Sequence, residues 1–251
     1  MRVGFRAIYG PFKDMLSTAV KLGFTDIEPD WNFDNSKEYP EMAKMAADAG
    51  VSLSAVLTGC DPMSIDDFKR AIDDMKIIGS KSFTAHPHHF AEDDLEAAKD
   101  FEKRFGAASE YAEQMGVKLA LQSCTLGPDQ WDMMFRIVPG LYLKYDPSFS
   151  AQAGRNYASE IFKYGKRIVH AHAKDEISLA RTTDYNQGLI PMTYVPAGMG
   201  QVNWGTVVAC LYEVGFDEQI AIEPHSAYWC SGEGFERGLT LAKRHIEQFL
   251  A

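Results

Sequence analysis

The feature that most constrains this chain is an alternation, repeated eight times, of a short apolar β-branched run with a longer stretch of helical period. A parallel strand pair needs a long connection back to the same end of the sheet, so this alternation predicts parallel strands joined by helical crossovers. The predicted strands are 2–8, 25–28, 52–57, 82–86, 118–123, 142–146, 168–172 and 219–223, and the predicted helices are 13–22, 41–49, 65–78, 95–115, 130–137, 158–164, 204–214 and 235–250. Gly23, Gly50, Gly79, Gly116, Gly165 and Gly215 each stand where a helix should end, which predicts left-handed caps. An open doubly wound sheet usually carries a GxGxxG or GxxxxGKS turn after its first strand, and neither occurs. The 251 residues suit a closed barrel, so the prediction is α/β, a (β/α)8 TIM barrel forming a single domain over 1–251.

One long irregular stretch, about 176–201, carries Gly188, Pro191, Pro196, Gly198 and Gly200. Loops of that length inside a compact domain are usually functional. Following strand seven it emerges at the C-terminal face, where it is expected to form a lid over the site.

Composition narrows the partners. The net charge of −10, from 25 basic and 35 acidic residues, disfavours a grip on a phosphate backbone, so no nucleic acid is expected. No run of 18 or more apolar residues is present, so no membrane span is predicted. The segment MRVGFRAIYG lacks the pattern of a secretory signal, and a cytoplasmic location is the expectation. Cys60, Cys124, Cys210 and Cys230 are scattered without a CxxC pair, as expected of free thiols in a reducing compartment.

In a barrel of this kind the chemistry sits at the C-terminal ends of the strands. Strand five ends in LQSC with Gln122, strand six in KYDPSF with Asp146, strand seven contains HAHAKD with His172, and strand eight ends in AIEPH with Glu223. Taken singly, an Asp before proline is more often a turn residue and a strand His or terminal Glu more often a solvated or satisfied group. Together on four successive strand ends they form a mixed oxygen and nitrogen set that suits Mn²⁺, Mg²⁺ or Co²⁺ more than structural zinc. His170 and His172 point to the same side, and the more C-terminal one is better placed. Other acid–base candidates are His86, in the AHPHHF cluster, and His225, whereas His88 and His89 read as solvated loop residues. Glu28 closes strand two, where a carboxylate often only orients its neighbours. Trp31, Phe33, Tyr228 and Trp229 are expected on upper loops, where they either stack on a sugar ring or pack the rim. Cys124 lies beside the site with no Cys–His partner evident, and Met42, Met45, Met133 and Met134 read as helix core.

The segments LGFTDIEPD, DPSF, HAHAKD, PAGMGQVNW and IAIEPH resemble the xylose-isomerase-like barrels over essentially the whole chain. That family includes sugar-phosphate isomerases and epimerases, ketose 3-epimerases, inosose dehydratases and enzymes acting on 3-oxo glycosides. The resemblance implies that Asp146, His172 and Glu223 are metal ligands, with Mn the first choice, and that Lys174 and Asp175 form an H-x-K-D motif in which Lys174 holds an anionic substrate oxygen. PAGMGQVNW looks like the family's segment before helix seven. Two positions depart from the pattern: Gln122 stands for the usual glutamate and Phe149 for the usual histidine. An amide oxygen can still coordinate a hard cation but is no base at neutral pH.

The resulting expectation is a metal-dependent isomerase, epimerase or lyase acting on a sugar or oxidised (3-oxo) sugar derivative. It would abstract a proton next to a carbonyl, with Glu223, His86 and Lys174 catalytic and Lys174, His86, His225, Trp31 and Glu28 binding substrate. Gln122 favours one-base chemistry, such as elimination or dehydration, over exchange between two glutamates. Two other readings are a metal-dependent hydrolase of the endonuclease type, which would want a basic surface and more ligands, and a non-catalytic barrel subunit of a larger complex. By resemblance, a homo-oligomer or a second subunit is expected.

Overall fold

The computed structural model describes residues 1–31, 37–60, 63–124, 126–178 and 192–250. Its strands are β1 (Arg2–Arg6), β2 (Ile27–Glu28), β3 (Asp30–Trp31), β4 (Ala55–Cys60), β5 (Ser82–His86), β6 (Lys118–Gln122), β7 (Tyr142–Tyr145), β8 (Ile168–Ala173), β9 (Asp175–Ser178), β10 (Met192–Val195) and β11 (Gln219–Ile222). Its helices are α1 (Phe12–Leu22), α2 (Tyr39–Asp48), α3 (Ile65–Ile78), α4 (Leu95–Met115), α5 (Pro128–Ile137), α6 (Pro147–Gln152), α7 (Tyr157–Tyr164), α8 (Trp204–Glu213) and α9 (Gly232–Glu247).

Pro29 governs how the sheet closes. It has no N–H to give to a ladder, so the second barrel strand is split around it. The leading half, β2, pairs in parallel with β1, placing Phe5 opposite Ile27 and Arg6 opposite Glu28. The trailing half, β3, pairs with β4, and a parallel bridge between Asp26 and Ser52 extends that seam. The ladder runs β2-β1-β11-β8-β7-β6-β5-β4-β3, so its two ends meet at Pro29. Eight parallel barrel strands in a nearly closed ring, wrapped by helices, make this a single-domain (β/α)8 TIM barrel.

The core follows from strands covered on both faces. Phe83, Thr84 and Ala85 of β5 and Ile220, Ala221 and Ile222 of β11 are all buried, as expected where one face fills the barrel and the other meets helices. Local signals fix the helix ends. A capping box of Ser64 and Asp67 opens α3 and left-handed Gly79 closes it; Asp94 opens α4 and left-handed Gly116 closes it. Both helices match their predicted bounds. Gly23 caps α1 as predicted, while Gly50 and Gly215 are left-handed one residue beyond the cap.

Three expectations are corrected. Gly165 is right-handed (φ −50°, ψ −40°) and opens a 3-10 turn, 165–167. It is glycine because a Cβ there would lie 2.4 Å from Cβ of Val214, so the constraint is close approach and not handedness. The stretch 176–201 is not irregular throughout. Its two ends pair as the antiparallel ribbon β9–β10, with Asp175 opposite Val195 and Glu176 opposite Tyr194, while 179–191 lie outside the described residues. Finally, DPSF continues into the unpredicted helix α6, whose N-cap is Asp146.

Candidate active site

Strand alternation carries the site. Lys144 and Asp146 share one side of β7, and His170, His172 and Lys174 share one side of β8 and its end. Arg6 closes β1, Glu28 closes β2 and Glu223 follows β11. Closure of the barrel brings these ends together in a buried cluster: Glu28, Lys144, Asp146, His170, His172, Lys174 and Glu223 are each at most 4% exposed.

Within the cluster, Glu28 Oε2 lies 3.0 Å from His170 Nε2 and 2.6 Å from His172 Nε2. The other face of His172 meets Glu223, with Nδ1 3.0 Å from Oε2 and 2.5 Å from Lys144 Nζ. Lys174 Nζ lies between two carboxylates, 2.9 Å from Glu223 Oε2 and 2.7 Å from Asp146 Oδ2. Its ammonium stands 3.9 Å from the centre of the Phe149 ring and 5.3 Å from that of Tyr194. Arg6 donates to Glu223 Oε1 at 2.7 Å and to Asp30 at 2.8 Å. At the solvent edge, His225 Nε2 lies 3.0 Å from Glu223 Oε2 and its ring packs on Tyr194.

Asp146 divides its oxygens. Oδ1 caps α6, accepting from Ser148 N and Oγ, while Oδ2 faces the cluster, 2.7 Å from Lys174 Nζ. Asp146 therefore caps α6 through one oxygen and joins the buried cluster through the other. Gln122 is buried with Oε1 unpartnered among the described residues. Buried orphan acceptors of this kind are costly unless something fills them.

Charges in this setting are strongly coupled. Burial opposes ionisation of Glu223, but His172 and Lys174 outweigh it and hold the carboxyl well below the usual range. Burial is likewise outweighed at Glu28, by His172 and His170, and at Asp146, by Lys174 and Lys144. At Lys174 burial is overcome by Asp146 and Glu223, which raise it above the ordinary lysine range. At Lys144 burial wins and lowers the ammonium to about 8. Burial, reinforced by Lys144 and Arg6, pushes the half-buried His86 down to about 4.

Ligand atoms of Asp146, His172 and Glu223 lie within 4.8 Å of one another, as do those of Glu28, His170 and His172. The first trio, beside Gln122 Oε1, which is unpartnered among the described residues, has oxygen and nitrogen donors of the kind a divalent ion takes.

A family model described as a xylose isomerase-like TIM barrel matches residues 16–246. The chain belongs to that family. No curated protein sequence matches it. Among solved structures it is similar to a xylose isomerase domain protein from Planctomyces limnophilus, with a TM-score of 0.82 at 15% identity over 99% of this chain and 96% of that one. It also resembles the IolI protein with a bound zinc atom, with a TM-score of 0.79 at 19% identity over 100% of both chains. A third likeness is to 3-keto-D-glucoside 4-epimerase, YcjR, from E. coli, with a TM-score of 0.75 at 11% identity over 99% of both chains.

Not every family-site candidate gathers there. Trp31 is no upper-loop residue: it is 2% exposed in β3, its indole N–H donates to Asp74 on α3 at 2.7 Å, and its ring packs edge-on against Phe83. Phe33 lies outside the described residues. Glu28, by contrast, does lie in the cluster, enclosed there with Oε2 committed to two imidazoles. Tyr228 is exposed and Trp229 packs beside it, while His88 and His89 are exposed as predicted. Met133 and Met134 are buried, and Met42 and Met45 pack against the core. Cys124 does have a histidine partner, with Sγ 3.4 Å from His86 Nδ1. Burial raises the thiol pKa and lowers that of the imidazole, so the pair is neutral and the sulfur is no activated nucleophile.

Sequence reasoning missed Arg6, Lys144 and Tyr194. Lys144 carried a signal, since two residues before Asp146 it shares that residue's side of the strand. Asp175 has a structural task. Oδ1 accepts from Glu176 N and Val202 N, and Oδ2 from Gly198 N and the Trp204 indole, which staples the PAGMGQVNW segment to the ribbon. A Cβ on Gly200 would lie 2.4 Å from Asp175 Oδ1, which explains the small residue there.

Proposed function

We propose that the protein is an isomerase, epimerase or lyase acting on a sugar or oxidised (3-oxo) sugar derivative by removing a proton next to a carbonyl. The observation that carries this reading is the convergence of Glu223, Lys174, Asp146 and His172 in one buried cluster at the C-terminal ends of the barrel strands. That arrangement supplies both a base and the positive charge an enediolate needs.

Glu223 takes the proton. Held ionised by its cationic neighbours, it is a weak base, so the substrate carbon must be acidified by charge placed on its oxygen. Lys174 supplies such charge, ion-paired with both Asp146 and Glu223. Asp146, His172, Glu223 and Gln122 would hold a divalent ion, Mn²⁺ by preference; when bound it polarises a substrate carbonyl or hydroxyl. His86, neutral at pH 7, hydrogen-bonds a substrate hydroxyl, and His225 with Tyr194 forms the solvent-side wall. Glu28 is a positioning residue acting through His172. The β9–β10 ribbon, which carries Tyr194 onto Lys174, covers the site. Gln122 leaves only one well-placed carboxylate base, which favours elimination or single-base exchange.

The test is a product screen by NMR against ketoses, inososes and 3-oxo glycosides with Mn²⁺ present. One class should turn over, and Glu223→Gln should slow it by at least about a hundredfold. Equal rates in the variant would remove Glu223 from its role, and no turnover of any class would reject the reading.

A further inference from the structure

Both ammonium groups of the cluster stand on the atoms a divalent ion would use. Lys174 Nζ contacts Asp146 Oδ2 at 2.7 Å and Glu223 Oε2 at 2.9 Å, and Lys144 Nζ contacts His172 Nδ1 at 2.5 Å. Metal bonds to such atoms are about 2.0–2.2 Å long, so an ion joined to all three would lie within about 5 Å of both lysines. Glu28, Asp30, Asp146 and Glu223 face Arg6, Lys144 and Lys174, with the imidazoles of His170 and His172 between them. A dication added to this set would compete with the positive charge that the two ammonium groups already place there. Lys144 and Lys174 are 0% and 2% exposed, and a buried lysine keeps its charge only where neighbouring groups offset the cost of burial.

We propose that Lys144 and Lys174 are resident counter-cations, which hold this site together without a metal and compete with a divalent ion for Asp146, His172 and Glu223. The proposal rests on reading those three residues as metal-competent. Its consequence is an unusual order of dependence: the fold does not need the ion, and the ion has to displace an ammonium to bind. Lys174 is the one that moves, because it lies between two of the three ligands, whereas Lys144 is anchored deeper on β7.

Chelator-treated wild type, Lys144→Met and Lys174→Met, each titrated with Mn²⁺ by calorimetry and melted with and without Mn²⁺, test this. Methionine keeps much of the length of the side chain and removes its charge. Both variants should bind Mn²⁺ at least about tenfold more tightly than wild type. They should also melt below wild type when metal-free and recover with Mn²⁺, while chelation leaves the melting of wild type unchanged. If Lys144→Met folds only with Mn²⁺, that too supports the proposal; if it does not fold at all, Lys174→Met decides. Variants that bind no more tightly than wild type, or are as stable metal-free, overturn it. Tight binding by wild type and variants alike would overturn the counter-cation role and leave the metal reading standing, whereas no binding by any of them would remove both.

Discussion

Glu28 accepts from His170 and His172 on a single oxygen, so removing its charge leaves two buried imidazoles facing a poorer acceptor. Stranding buried hydrogen-bond partners of this kind costs about 3 kcal/mol, or roughly 6–12 °C in Tm for a chain of this size. Glu28→Gln should show that fall in calorimetry, and a melting point within roughly 2 °C of wild type would contradict the assignment. His86 gives a pH signature. Its folded pKa of about 4 lies below the unfolded value of about 6.5, so the unfolded chain binds more protons between those values. Stability is therefore fully present above pH ~6.5 and is lost as pH falls toward ~4. His86→Gln should flatten the Tm–pH curve in that window, and an unchanged slope would assign the acid sensitivity elsewhere. At this scale legibility depended on residue type. Asp146, His172 and Glu223 stood out because metal-competent groups at strand ends are conspicuous. Lys144 did not, because a strand lysine ordinarily reads as surface, and only the barrel interior makes it a buried charge. Trp31 misled for the opposite reason: beyond Pro29 it looked like loop, and the split strand carried it into the core.

The ribbon β9–β10 and the segment after it depend on the four hydrogen bonds accepted by Asp175. Asp175→Ala strands those donors, each worth about 1–3 kcal/mol when buried and unpaired. Limited proteolysis should then cut between 176 and 202 about tenfold faster or more, with far-UV circular dichroism unchanged. Equal cleavage rates would show that the ribbon is held by other contacts. Elements with strong local signals were legible in the sequence, as in α3 and α4, where caps and periodicity agree. Short elements were not. The helix α6 follows Asp-Pro, which reads as a turn, and β9–β10 pairs across a stretch rich in glycine and proline. Gly165 shows that a glycine before a strand can answer to a neighbouring Val214 instead of to its own dihedral angles.

Closure of the barrel joins groups that are far apart in the chain, with Arg6 and Glu223 separated by 217 positions yet bonded at 2.7 Å. The eight-fold alternation predicted that architecture, but not which inward side chains would touch, because register and strand splitting decide those contacts. On the proposed reading the assembled site offers a base in Glu223, a positive charge in Lys174 and donors suited to a divalent ion, the parts that carbon-acid chemistry on a polyhydroxylated carbonyl compound would use. The most direct measurement is deuterium incorporation by NMR, with the wild type and Glu223→Gln incubated in D₂O with a 3-oxo glycoside and Mn²⁺. Wild type should place deuterium on the carbon next to the carbonyl, in recovered substrate or in product, and Glu223→Gln should do so at least about a hundredfold more slowly. Turnover with neither deuterium at that carbon nor a primary isotope effect on substrate deuterated there, or equal rates for both proteins, would contradict proton abstraction by Glu223.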